Sequence, residues 1–231
     1  MPVDPNFAYT AALIGDPTRA AMLAALLGGQ ALTASELAHG ACVSPQTAST
    51  HLARLLDGGL LRVVASGRHR YYQLAGGHVA QALETLSTIA PPARVTSLRQ
   101  SESARAIRFA RTCYDHLAGS LGVALTERMV ECGILAQFGE AYQVTATGAA
   151  WLTDHAIDAE RVLHHRRVAA RACLDWSERR YHVAGAFGAV LADWLLAQGW
   201  LCRASNSRAL RLTESGRAGF AREWSLCFDE R

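Results

Sequence analysis

The run Ser44-Pro45-Gln-Thr-Ala-Ser-Thr-His-Leu-Ala-Arg-Leu55, closed by Gly58-Gly59, is a helix written between explicit start and stop marks. Ser44 can accept hydrogen bonds from first-turn amides, and Pro45 suits the first helical position, where its missing donor is not needed. Ala48, Leu52 and Leu55 fall on one face, which leaves Gln46, Thr47, Ser49, Thr50, His51 and Arg54 wholly or partly outward. That outer face is rich in hydrogen-bond formers and carries no acid until Asp57.

What surrounds this helix narrows the fold further. Residues 7–30 read as two helices broken at Asp16-Pro17, with Met22, Leu23, Leu26 and Leu27 on an apolar face. Thr33-Ala-Ser-Glu36 has the spacing of a capping box, and Gly40-Ala-Cys42-Val43 is a tight turn into Ser44. After Gly59, residues 60–64, 66–69 and 70–74 read as strand, turn and strand with a Gly67-Arg-His-Arg70 tip. A helix over 78–90 then ends at Ala90-Pro91-Pro92, because proline lacks an amide donor and restricts the residue before it.

In that order these elements predict a winged helix-turn-helix over residues 1–90, whose second helix enters a DNA major groove while the wing reaches the neighbouring backbone. Gln46, Thr47, Thr50 and His51, with Ser49 beside them, are candidates for base-edge contacts. Arg54, Arg68 and Arg70, with His69, suit phosphates or the minor groove. Five arginines and no lysine lie in residues 1–90, against five acids. One copy of so neutral a module would bind weakly, so a homodimer that doubles the contacts is expected.

Ile14-Gly-Asp-Pro-Thr-Arg19, Leu32-Thr-Ala-Ser-Glu-Leu-Ala38, Val43 to Leu55, Gly59-Leu60 and Gly67-Arg-His-Arg-Tyr-Tyr72 together resemble the ArsR/SmtB-type bacterial repressors over about residues 7–88. The resemblance implies a homodimer, paired through the first and last helices of the module, on a double-stranded DNA operator with two-fold symmetry, released by an inducer. Metal-sensing relatives carry a cysteine pair in the helix matching residues 33–41, or aspartate and histidine ligands with histidines about ten positions apart in the last helix. This chain offers only Cys42 in the first place, and in the second His78 meets Thr88. No metal is expected at either location, and no cofactor is carried over.

With 231 residues, half of them apolar, the chain can bury more than one core. Beyond a linker at 91–103, the region 104–231 is read as two degenerate winged-helix-like repeats, about 104–153 and 160–222, in a mainly α fold with short β-hairpins. Arg111, Cys113 and Asp115 recur as Arg171, Cys173 and Asp175, and His116-Leu-Ala-Gly119 as His182-Val-Ala-Gly185. Helices are expected over 104–118, 120–132, 160–180 and 183–197, with hairpins at 133–144 and 199–212. Gly119, Gly122, Gly185 and Gly188 would then permit close helix crossings. This longer layout looks like the YdfF-like members of the family.

Cys113, Asp115, His116, Cys173, Asp175 and His182 are the effector candidates. On helices, Cys113 and His116 would share a face while Cys173 and His182, nine positions apart, would not, so one copy alone makes a poor metal site. A site would have to form between copies, from Cys113, His116, Cys173 and His182. The other reading makes the two cysteines small buried packing residues and lets the Asp and Arg side chains pair. Asp154-His155, Asp158 and His164-His165 read as a solvated face, and Trp176, Trp194, Trp200 and Trp224 as core or interface residues that could border a small-molecule pocket.

The six scattered cysteines form no CxxC pair and are expected to be reduced thiols, and no leader or membrane-spanning run is visible, so a cytoplasmic protein is expected. All 23 basic residues are arginine, for a net charge of +3. The leading reading is a DNA-binding transcriptional regulator, a repressor and not an enzyme. Two alternatives stay open: a Cys/His enzyme or redox sensor acting through the C-terminal repeats, and an interaction module with an extended dimer interface. No phosphate loop, nucleophile elbow or paired-carboxylate pattern accompanies Cys113 and His116.

Overall fold

The computed structural model describes residues 4–91, 96–139, 141–163, 168–205 and 207–228. It forms two compact units, Met1–Leu83 and Glu84–Arg231. The division falls earlier than the expected linker at 91–103. Of that stretch, 92–95 lie outside the described residues, and 98–103 are helical.

The first unit begins with α1 (Phe7–Ile14) and α2 (Pro17–Leu26), separated where the Asp16 side chain accepts from the Arg19 amide. Arg19 is buried because its guanidinium donates to the carbonyls of Leu13 and Ala12, at 2.6 and 2.8 Å. Those carbonyls close α1, where a helix leaves acceptors unpaired. Strand β1 (Leu32–Thr33) leads into α3 (Ala34–Gly40), opened by a complete capping box between Thr33 and Glu36. α4 (Pro45–Asp57) is capped by Ser44, and β2 (Leu61–Ser66) and β3 (His69–Leu74) form the hairpin.

The sheet order is β1-β3-β2, so the chain before α3 pins the wing to the helices. α5 (Gly77–Ile89) follows. Met22, Leu23, Leu26, Leu37, Ala48, Leu52, Leu55 and Leu74 are all buried. This is the winged helix-turn-helix, and the two-residue β1 was too short for any alternation to reveal.

In the second unit the two expected opening helices are replaced by hairpins. α6 (Leu98–Phe109) stops before the repeated motif, and β4 (Arg111–Cys113) and β5 (His116–Ala118) pair antiparallel. α7 (Ser120–Glu131), β6 (Leu135–Phe138), β7 (Ala141–Val144) and α8 (Ala146–Asp154) complete the first half. After α9 (Ala159–Leu163), the order recurs as β8 (Arg171–Leu174), β9 (Tyr181–Ala184), α10 (Gly185–Ala197), β10 (Leu201–Arg203), β11 (Leu210–Leu212) and α11 (Glu214–Trp224). Each half is hairpin, helix, hairpin, helix.

The halves exchange partners. β7 pairs with β8 through Ala141 and Arg171, and an isolated bridge joins Arg111 of β4 to Ala209. α7 packs on β9 while α10 packs on β5, and Thr126 of α7 accepts from the Val183 amide at 2.9 Å. The repeated glycines serve strand-to-helix corners, not helix crossings. Gly119 and Gly185 hold φ of +86° and +84°, and a Cβ on Gly119 would lie 2.7 Å from the carbonyl oxygens of Arg108 and Phe109. Only glycine accepts such a turn without strain.

Behind the hairpins lies one core that includes Leu121, Leu125, Met129, Leu152, Phe187, Leu191, Leu195 and Phe220. Trp151, Trp194, Trp200 and Trp224 cluster in and around it, with Trp194 and Trp200 ring centres 5.0 Å apart. Trp176 is separate, its ring 4.5 Å from the Arg111 guanidinium.

Candidate nucleic-acid interface and candidate metal centre

α4 buries Ala48, Leu52 and Leu55 and exposes Gln46, Thr47, Ser49, Thr50 and Arg54. Ser49 and Thr50 donate their hydroxyls to the carbonyls of Pro45 and Gln46, which holds the side chains against the helix with their lone pairs outward. Thr47 shares a 2.9 Å hydroxyl contact with Ser44. At the wing, Arg68, His69 and Arg70 are all exposed, and the Arg68 Nε donates to His69 Nε2 at 3.4 Å.

His51 departs from the expectation. Its imidazole turns inward, with Nδ1 3.6 Å from Asp16 and 3.5 Å from Arg19, and its side chain is only 15% exposed. The helix periodicity put position 51 at the edge of the outer face, and the anionic Asp16 cap draws the ring to the protein side.

In the second unit the structure brings together Cys113 and His116 from β4 and β5 with Cys173 and His182 from β8 and β9. In both hairpins the cysteine and histidine are direct cross-strand partners. The six extra residues of the second copy therefore lie beyond this pair, as one more strand pair (Leu174 with Tyr181) and a longer loop, where an antiparallel register tolerates them. One ligand-type atom from each of the four side chains lies within 4.8 Å of every other. The two sulfurs are 3.9 Å apart, and His116 Nε2 is 3.1 Å from His182 Nε2. Among the described residues this is the one such group, and it is not at either family location. Cys42 and His78 are exposed elsewhere.

A carboxylate stands behind each imidazole. His116 Nδ1 is 3.2 Å from Asp115, and His182 Nδ1 is 3.3 Å from Asp175. Asp175 is fully buried and is held by Arg111 (2.9 Å), the Gly119 amide (2.7 Å), and the amide and hydroxyl of Ser177. Burial opposes its ionisation, yet His182, Arg111, Ser177 and Gly119 outweigh that and hold its carboxyl far below the usual range. Arg111 and Asp175 come from different copies, so the recurring Arg-x-Cys-x-Asp letters pair across the repeat.

The thiols polarise each other. The hydrogen bond from Cys113, then the imidazoles of His116 and His182, lower the Cys173 thiol against the effect of burial, while the same bond and burial push Cys113 up. Burial works against a charged His116, but its contacts to Asp115 and Cys173 raise it above the ordinary value. Within the cluster the two thiols are thus unlike, Cys173 favouring the thiolate and Cys113 the thiol.

The second His-rich run is a solvated face only in part: Asp154 and Asp158 are exposed, whereas His155 stacks on Trp151 at 4.3 Å and pairs with Glu223 at 2.9 Å. His164 and His165 lie outside the described residues. Sequence reasoning missed the Asp16, Arg19 and His51 group, for which the Asp16-Pro17 cap was the available clue. It also missed the buried Thr126 bridge, which had no clue. No helix among the described residues is long and apolar enough to cross a membrane.

A helix-turn-helix domain model matches residues 14–64. An HTH-type transcriptional regulator of Bacillus subtilis strain 168, YdfF, is 43% identical over 224 residues, covering 97% of this chain and 99% of the relative. Solved structures that resemble part of the chain include NolR from Sinorhizobium fredii (23% identity, 40% of this chain and 99% of that one, TM-score 0.35). Another is the cadmium metal-sensor CMTR from Mycobacterium tuberculosis (29% identity, 40% and 99%, TM-score 0.32). The helix-turn-helix match and the near full-length identity to YdfF make this a DNA-binding transcriptional regulator, and the chain belongs to the YdfF-like HTH-type regulators.

Proposed function

We propose that the protein is a homodimeric repressor that binds a two-fold symmetric operator through α4 and the β2–β3 wing, and is released by an inducer acting through the second unit. The observation that carries the reading is the outer face of α4: exposed Gln46, Thr47, Ser49, Thr50 and Arg54 with no acid among them, in the same unit as the exposed Arg68, His69 and Arg70. Gln46 and Thr50 offer donors and acceptors to base edges, and the arginines offer charge to phosphates. Support for pairing comes from apolar side chains left exposed on the module's first and last helices: Phe7 (81%) on α1, and Ile89 (80%) with Leu86 on α5.

The test is fluorescence anisotropy on a duplex from upstream of the protein's own gene and on unrelated DNA. Thr50→Ala should weaken the specific complex about tenfold, roughly 1.4 kcal/mol, while leaving unrelated DNA unaffected. Arg68→Ala should weaken both alike and lower the slope of log affinity against log salt by about 1 for each copy bound. Folded variants that both bind as the unmodified protein does would refute this assignment.

A further inference from the structure

We propose that Cys113, His116, Cys173 and His182 form a closed tetrahedral site for a zinc-class divalent ion that fastens the two halves of the second unit together. The sulfur–sulfur and nitrogen–nitrogen distances fit that chemistry. With Zn–S near ~2.3 Å and Zn–N near ~2.0 Å, a regular tetrahedron places sulfurs roughly 3.8 Å apart and nitrogens roughly 3.3 Å apart. The structure has 3.9 Å and 3.1 Å.

The imidazole orientations point the same way. Asp115 and Asp175 each stand on the Nδ1 side of an imidazole, at 3.2 and 3.3 Å, so both Nε2 atoms face each other across 3.1 Å. Two Nε2 atoms this close call for a positive centre between them, either a shared proton or a metal ion. A carboxylate behind each histidine is also the usual outer support of a metal-bound imidazole. Charge balances in the buried region: two thiolates neutralise a divalent ion, and Arg111 neutralises Asp175. Binding would release to solvent the thiol protons and any proton held on an Nε2, with no change of oxidation state.

Four protein ligands leave no open coordination position, which is the form of a structural site. Each half contributes one cysteine and one histidine on adjacent strands, so the ion would fasten hairpin to hairpin at the point where the halves exchange partners. Cys113, His116 and His182 are buried, which shields the site from competing water.

The full chain, purified without added metal and under reducing conditions, should carry about one zinc per chain by native mass spectrometry. After removal with a strong chelator, titration with Co2+ should give the intense visible bands of a tetrahedral thiolate–imidazole site with one equivalent, and Zn2+ should bleach them. Chelation should lower the unfolding temperature of the second unit, and Zn2+ should restore it. Cys173→Ser should abolish the cobalt spectrum, Asp115→Asn should weaken binding 10- to 100-fold, and Cys42→Ser should change neither. A weak octahedral cobalt spectrum, a spectrum that survives Cys173→Ser, or a native Cys113–Cys173 disulfide would each overturn the proposal. Because the wild-type spectrum is read directly, a variant that fails to fold does not decide the matter.

Discussion

Arg111 shows how much one side chain can do in the second unit. It lies fully buried on β4, donates to Asp175 and Ser177, and stacks on Trp176, so the charge of Asp175 depends on it. Arg111→Met keeps much of the volume but strands a buried carboxylate, a loss of about 3–5 kcal/mol. Urea unfolding followed by tryptophan fluorescence should show that loss, and a change under about 1 kcal/mol would mean that Asp175 is satisfied without the arginine. Half of this was readable in the sequence. The recurrence of Arg-x-Cys-x-Asp signalled pairing among these residue types, but which Arg met which Asp depended on the exchange of partners between halves. His51 taught the complementary lesson: periodicity placed it on the outer face, and a local charge turned it inward.

Capping signals made the helices of the first unit legible, and their absence hid the hairpins of the second. Ser44→Ala removes the acceptor for the Thr47 amide at the start of α4 and should cost about 1 kcal/mol in chemical unfolding. Unchanged stability would show that Pro45 alone starts the helix. The strands Arg111–Cys113 and His116–Ala118 are three residues each, buried throughout, and so carry no alternation that separates them from helix. What did distinguish them was Gly119, whose positive φ and backbone neighbours require a corner. Gly119→Ala should destabilise the second unit by about 1–3 kcal/mol, measured by its thermal midpoint. A neutral result would mean that the corner relaxes freely. Once the segments are hairpins, the shifted histidine ceases to be an objection to a shared site, because loop length does not alter which residues face each other.

At the scale of the whole molecule, a nearly neutral winged helix-turn-helix is followed by a second unit that gathers a buried Cys2His2 cluster beside its apolar core. The resemblance of residues 7–88 to a known family was specific because helix starts, outer face and wing tip occurred in register. The second unit had no such template, and its chemistry emerged only when distant strands were placed side by side. Pairing through α1 and α5 predicts that Phe7→Asp with Ile89→Asp in the full chain weakens self-association at least about tenfold, or ~1.4 kcal/mol, by sedimentation equilibrium. An unaltered dimer would place the interface elsewhere. The most direct test of the central claim is selection of bound duplexes from a random DNA pool by the full-length protein. A single enriched motif with two-fold symmetry, whose base preferences relax with Gln46→Ala or Thr50→Ala, is the predicted result; a pool with no enriched motif, or an enriched motif indifferent to both substitutions, would contradict it.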